Sequence, residues 1–358
     1  MHHSRRSLQE IDHWLRKILP EKGRKRLLNF LPLAVLGVVL SSSCHLNRIA
    51  AALAFAGRAK SVLQRLRRWI MRESFALAEL LPLVAGPFIR CCLSGPIALL
   101  VDRTQWQHAN LLYAAVSFRG RALPVAVMIL HGPKATNHTE LARLLEQAAV
   151  ALPRAAEVVV VADREFGNVP AIEVIRRRGW HFCLRFKHDT WFHAANGSSW
   201  QAHDVYPARR SRVVWSALRV TLRRYGPLQV AIYWHQDEDE PWVLVSDLQA
   251  ERLVGLYRRR MRIDEMFSDL KKRGFHLEAT RLRDPDRLLR LAALLSLTYL
   301  WLLIVASVAV KRGLRSLVDP AKRRALSYLQ IALRLVRYHP PEVTHPLMRA
   351  ASRVIQPK

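Results

Sequence analysis

The sequence predicts an α/β protein: a mixed-sheet core, a helical segment at each end and a β-rich insertion. Three observations predict it. From residue 97, three short apolar runs follow one another with only turn residues between them. A continuous apolar strand pattern, VVVVADREFG (158–167), comes after a helical stretch. YRRRMRIDEMFSDLKKRGF (257–275) then has an apolar stripe at helical spacing and ends at Gly274.

Residues 1–90 read as mostly helical, with basic residues on faces otherwise built from Leu, Ala and Ile, and are expected to form a separate DNA-contacting module. SVLQRLRRWIMRES (61–74) is the most basic amphipathic helix among them and carries Arg65, Arg67, Arg68, Arg72 and Trp69. IALLVD (97–102), NLLYAAVSFRG (110–120) and ALPVAVMILHG (122–132) are expected to form an antiparallel meander, because their links are too short for crossovers. Asn137 with Glu140 three residues on has the capping-box spacing, opening a helix to about Leu152. The strand at 158 is expected to be central and parallel to the first. Asn168 and Pro170 start a helix, Gly179 stops it, and WHFCLRFK (180–187) is a further strand. This order fits a ribonuclease-H-like core in two parts, 91–187 and 248–310. The intervening 188–247 reads as a β insertion whose acidic turn, Asp237 to Glu240, is a solvated hairpin tip. Asp284 and Pro285 open a long helix, and a basic tail, 311–358, is helical to about Arg337.

The chain has 358 residues and a formal net charge of +29, which implies a polyanionic partner, DNA or an anionic membrane surface. The four cysteines, Cys44, Cys91, Cys92 and Cys183, lack zinc-ligand spacing and are expected to be buried thiols in a reducing compartment. MHHSRRSLQEIDHW is basic but runs into charged, helix-like sequence rather than an apolar stretch with a cleavage site, so cytoplasmic residence is the expectation. Two runs, 27–44 and 291–310, are apolar enough to be weighed as membrane spans. The second has no charged residue and basic flanks. A helix buried between protein layers is equally apolar all round.

Asp102 and Asp163 each close an apolar strand, where a sheet delivers side chains into the crevice used for ligands. Alone, either is an ordinary turn cap. On the 257–275 helix, Tyr257, Arg260, Asp264 and Lys271 share one broad face, while Glu265 points about 100° away. Three carboxylates from separate segments, without His or Cys alongside, suit hard-oxygen ligation of Mg²⁺ or Mn²⁺, with two ions as the expectation.

Tyr257, Arg260, position 264 and Lys271 resemble the Tyr-Arg-Glu-Lys signature of insertion-sequence DNA transposases of the Asp-Asp-Glu type. LLVDRTQW around Asp102 and ADREFG around Asp163 resemble that family's first two acid motifs, and SFRGRALPVA (117–126) its intervening strands. This chain departs from the pattern by carrying Asp264 where the family usually has Glu, with Glu265 as the alternative third acid. The resemblance implies a cut-and-paste transposase acting on double-stranded DNA, the element's terminal repeats and a target, as a homodimer on DNA associated with the nucleoid in a prokaryotic cytoplasm. It implies metal-dependent cleavage and strand transfer at Asp102, Asp163 and Asp264. It also implies that Tyr257, Arg260 and Lys271 hold phosphates, with Arg164 as a further contact, and that Arg65 and Arg68 belong to the N-terminal DNA-binding region. By motif position Trp242 takes the role of stacking a base flipped during a hairpin intermediate; a core Trp on a strand is the competing reading. Two other readings stay open: a transposase-derived DNA binder that no longer cuts, motivated by Asp264, and a basic membrane protein, motivated by 291–310.

Overall fold

The computed structural model describes residues 2–19, 29–71, 77–106, 109–130, 136–280 and 282–353. Its centre is a mixed sheet that begins with the expected meander: β1 (Ile97–Trp106), β2 (Ala109–Phe118) and β3 (Arg121–Leu130). Asp102 faces Tyr113 in the β1–β2 register. The last residues of the third expected strand, His131 and Gly132, lie outside the described residues.

Chain reversal after β3 is made by helix α6 (His138–Ala149), whose Asn137 and Glu140 form a reciprocal capping box, worth about 1 kcal/mol. β4 (Val158–Ala162), every residue buried, then lies parallel to β1, and β5 (His181–Phe186) lies parallel to β4. Between them α7 (Val169–Arg176) starts at Asn168, whose side chain accepts from the Ala171 N–H at 2.9 Å. Full burial on both faces explains why β4 reads as an unbroken apolar run.

The 188–247 insertion extends the core sheet. β10 (Trp242–Ser246) pairs antiparallel with β5, and β9 (Tyr225–Tyr233) and β8 (Arg212–Val220) add beyond it. The short β6 (Trp191–His193) and β7 (Ser199–Gln201) finish the sheet, whose order is β3-β2-β1-β4-β5-β10-β9-β8-β6-β7. The acidic turn is solvated as expected, with Asp237 and Glu240 exposed, and Glu240 also pairs with Arg164 at 2.9 Å across the surface.

The N-terminal helices do not stand apart as a separate module. They are α1 (His2–Ile18), α2 (Leu31–Ser41), α3 (Leu46–Ala52), α4 (Ala59–Met71) and α5 (Leu77–Cys92). They share one hydrophobic core with α10 (Pro285–Lys311). Trp14 meets Trp301 at 6.4 Å, and the Arg290 guanidinium donates to the Ile70 carbonyl at 2.7 Å. α10 is long and apolar enough to cross a membrane by composition, and 94% of its most apolar window is buried within this fold. Within the 27–44 run only Leu31–Ser41 is helix, 11 residues, and residues 27 and 28 lie outside the described residues. Cys44 and Cys183 are buried as expected. Cys91 and Cys92 are exposed, because α5 ends there and its last turn leaves the core. After α10 come α11 (Tyr328–Tyr338) and α12 (Pro341–Arg353), so helix continues beyond Arg337.

Candidate active site

The expected single helix over 257–275 changes pitch three times. An α-helical turn, α8 (Leu253–Tyr257), passes through a 3₁₀ turn at Arg258–Arg260 into α9 (Met261–Ser268), and a π-helical turn covers Asp269–Arg273. π turns concentrate at functional sites. Gly274 ends the segment because a Cβ there would meet the Asp269 carbonyl oxygen at 2.6 Å and Leu329 at 2.7 Å.

This segment lays one face against the ends of β1 and β4. Arg260 donates to Asp102 at 2.7 Å through one terminal nitrogen and lies 3.4 Å from Asp264 through the other, so its guanidinium bridges the two acids. Tyr257 donates its hydroxyl to Asp163 at 3.4 Å. The acids are fixed locally as well: the Arg103 N–H donates to Asp102 at 2.8 Å and the Arg164 N–H to Asp163 at 2.6 Å. Gly167 closes the loop after Asp163, where any Cβ would run into the Arg185 carbonyl. Lys271 reaches the same strand end and donates to the Gln105 carbonyl at 2.9 Å.

The electrostatics tie the acids together. Burial pushes Asp102 up to about 7; the charges of Asp264 and Asp163 add to the rise, while Arg260 and the Arg103 N–H oppose it. Asp264 is raised for the same first reason, with Asp163 and Glu265 contributing and Arg260 opposing. Burial works against the charge of Arg260, yet Tyr257, Asp102, Asp264 and Asp163 together keep its pKa above the ordinary arginine value. The three acids therefore feel one another's charge, and the Arg260 guanidinium offsets it at Asp102 and Asp264.

Glu265 belongs elsewhere. It pairs with Arg273 at 2.8 Å and lies 3.7 Å from Arg121, beside Asp269. Asp269 is wholly buried, 3.3 Å from Arg121, and accepts from the Tyr299 hydroxyl at 3.4 Å. Sequence reasoning missed this pair; the available signal was that Asp269 falls three residues after Met266, on the apolar stripe. It also missed Arg103, which pairs with Glu165 at 3.1 Å and so ties the first acid segment to the second.

Several expected DNA contacts are placed differently. Tyr257 is fully buried under Trp242, so it orients Asp163 and has no surface to offer a phosphate. Trp242 is 3% exposed, edge-to-face with Tyr257 at 5.0 Å and stacked with His235 at 6.2 Å. An extruded base has no open ring face there, so the core reading of this tryptophan replaces the stacking one. Arg260 is turned inward, its side chain 11% exposed. Arg164, Arg65 and Arg68 are exposed, Arg65 lying over the Phe30 ring at 5.3 Å; Arg72 lies outside the described residues.

For a divalent cation the donor chemistry fits, since the acids offer only hard carboxylate oxygens. The spacing does not: among the described residues no three His, Cys, Asp or Glu side chains are grouped closely enough to hold a metal ion, and Arg260 bridges Asp102 to Asp264.

No curated protein matches the chain. A family model described as a transposase DDE domain does match it, over residues 97–301, a stretch that starts at β1, ends within α10 and takes in Asp102, Asp163 and Asp264. With more than half of its length in that match, the chain belongs to the DDE-domain transposases, enzymes that act on DNA.

Proposed function

We propose that the chain cuts and joins DNA strands at the ends of an insertion element, with Asp102, Asp163 and Asp264 as its three acids. The observation that carries this reading is the meeting of carboxylates from three separate segments around Arg260 and Tyr257. Asp264 is the third acid in this reading, because Glu265 is held in a separate ion network with Arg273 and Arg121.

Tyr257, Arg260 and Lys271 stand in the pattern of the Tyr-Arg-Glu-Lys signature, but with divided labour. Tyr257 orients Asp163, Arg260 neutralises Asp102 and Asp264 until a DNA phosphate takes it over, and Lys271 sits at the strand end ready for the backbone as a point charge. Asp102, Asp163 and Asp264 are the carboxylates that would hold divalent cations, which would supply positive charge to the attacking and departing oxygens of an in-line displacement. Basic exposed residues such as Arg65, Arg68 and Arg164 hold the rest of the duplex, and two chains bring two element ends together. The burial of α10 inside the protein favours this reading over a membrane protein.

The test is a strand-cleavage assay on the element's end sequence with Mg²⁺ or Mn²⁺. Loss of cleavage in Asp264→Asn with retention in Glu265→Gln is the expected result, and the reverse pattern sinks the assignment. A second reading, a DNA binder that no longer cuts, is favoured by the Arg260 bridge and the shorter acid at 264. It predicts wild-type DNA binding with no cleavage under either metal.

A further inference from the structure

Past the end of the signature segment the fold closes a basic cavity of about 680 Å³. Its walls come from three distant parts of the chain: Arg273, which ends the π turn, with His276 after it, Ser42 at the end of α2, and Arg334, Arg337 and Tyr338 on α11. None of its lining residues is acidic.

The walls are held firmly. The Cys44 N–H donates to the Phe275 carbonyl at 2.6 Å and the Cys44 thiol to the His276 carbonyl at 3.0 Å, which pins the N-terminal helices to the signature segment. Gln330 donates to the Arg273 carbonyl at 2.9 Å, which pins α11 to it. Two non-glycine residues of the wall, Ser42 at φ +45° and His276 at φ +53°, take the left-handed backbone conformation. Such conformations persist only where the surroundings over-determine them, and they gather at ligand clamps.

Arg273 is committed to Glu265 at 2.8 Å, whereas Arg334 and Arg337 pair with no carboxylate among the described residues. Arg337 donates to the Ser42 hydroxyl at 2.8 Å and lies over the Tyr338 ring at 5.1 Å; Arg334 makes one long contact, 3.5 Å, to the Val318 carbonyl. Each guanidinium has five N–H donors in a fork that matches two phosphate oxygens. Tyr338 is 70% exposed at the rim, an aromatic face beside the cations.

We propose that this cavity clamps a backbone phosphate of the DNA whose cleavage site lies at Asp264. The inference rests on the DNA-processing reading above. Arg273, on the segment that carries Asp264, and Arg334 and Arg337, on α11, give the cavity its cations. Because its walls come from the N-terminal helices, the signature segment and the C-terminal helices, the clamp sets the duplex against all three at once.

The experiment measures binding of the full-length chain to a duplex carrying the element's end, across a salt series. Arg334→Gln, at an exposed position that leaves the fold intact, is expected to weaken binding about 5- to 10-fold. It should also reduce the slope of log affinity against log salt by about 0.9, one phosphate contact. Arg337→Lys, which keeps the charge and loses the fork, is expected to fall between wild type and Arg337→Gln. Arg154→Gln with Arg177→Gln, two charges on a different surface, gives the size of a purely nonlocal charge effect. An Arg334→Gln slope no different from wild type, or a loss no larger than that control's, overturns the clamp while leaving the transposase reading intact. Loss of pyrophosphate binding in Arg334→Gln with unchanged duplex binding also overturns it, assigning the cavity to a small anion. A wild-type chain without duplex affinity overturns both, the DNA reading first.

Discussion

Asp264 and Glu265 are neighbours in the chain and members of different ion networks: Asp264 lies 3.4 Å from Arg260 in the acid cluster, while Glu265 pairs with Arg273 at 2.8 Å. One helical step of about 100° separates them. That step divides the proposed third acid from one held by Arg273 and Arg121.

Asp264→Glu should therefore keep strand cleavage at or above the wild-type rate, because it restores length along the same direction. Asp264→Asn should lower it by roughly 100-fold or more, about 2.7 kcal/mol of barrier. Glu265→Gln should leave the rate within a few-fold and change stability by no more than about 1 kcal/mol, as expected for a part-exposed pair. Single-turnover cleavage and thermal unfolding of the three variants check this.

Arg260→Gln removes the positive charge that Asp102 and Asp264 now share. Mn²⁺ binding without DNA should tighten by about 10-fold, near 1.4 kcal/mol, while DNA cleavage falls. Calorimetry on the DNA-free variant reads the first effect; unchanged or weaker Mn²⁺ affinity would show that the guanidinium does not compete with a cation.

Stability should decline as pH rises. Asp102 is pushed up to about 7, first by burial, and Asp269 to about 6 for the same first reason. Unfolded aspartate titrates near ~3.9, so the folded chain holds these protons more firmly. Their contribution is full below about pH 4 and is lost as pH climbs through the folded values. Unfolding temperatures measured from pH 5 to 8 without divalent ions should fall, and Asp102→Asn should flatten the upper part of that trend.

Asp269→Ala leaves the largely buried Arg121 with only the longer contact to Glu265, 3.7 Å, a change that costs about 3 kcal/mol. Tyr299→Phe removes only one hydrogen bond, about 1 kcal/mol. Urea unfolding of both variants distinguishes them, and a cost for Asp269→Ala near that of Tyr299→Phe would argue against the buried pair as the anchor of the π turn.

Tyr257→Phe should change stability by less than about 1 kcal/mol, since its bond to Asp163 is long. Tyr257→Ala should cost about 3–5 kcal/mol through the cavity left beneath Trp242. If the hydroxyl orients Asp163, cleavage slows in Tyr257→Phe at full stability.

The strands and helix starts were legible because their causes are local. Asn137 and Asn168 cap helices through neighbours three residues away, and the apolar runs of β1 and β4 encode burial on both faces. The acids were legible as strand-end and helix-face positions. What lay beyond reading was set by partners distant in the chain. Trp242 has the same residue type whether it stacks on a base or lies under Tyr257, and only packing decides. Arg260 sits on the predicted face, but its inward turn depends on Asp102, 158 residues away. The insertion's strands were visible, whereas their pairing with β5 depends on an edge no local pattern announces.

That pairing has a mechanical consequence. A plate hydrogen-bonded from β3 through β10 to β7 has no hinge at the β5–β10 seam, so the insertion cannot swing over bound DNA as a lid. Any adjustment of the insertion to a ligand then falls to its side chains and loops, because its strands are continuous with those of the core.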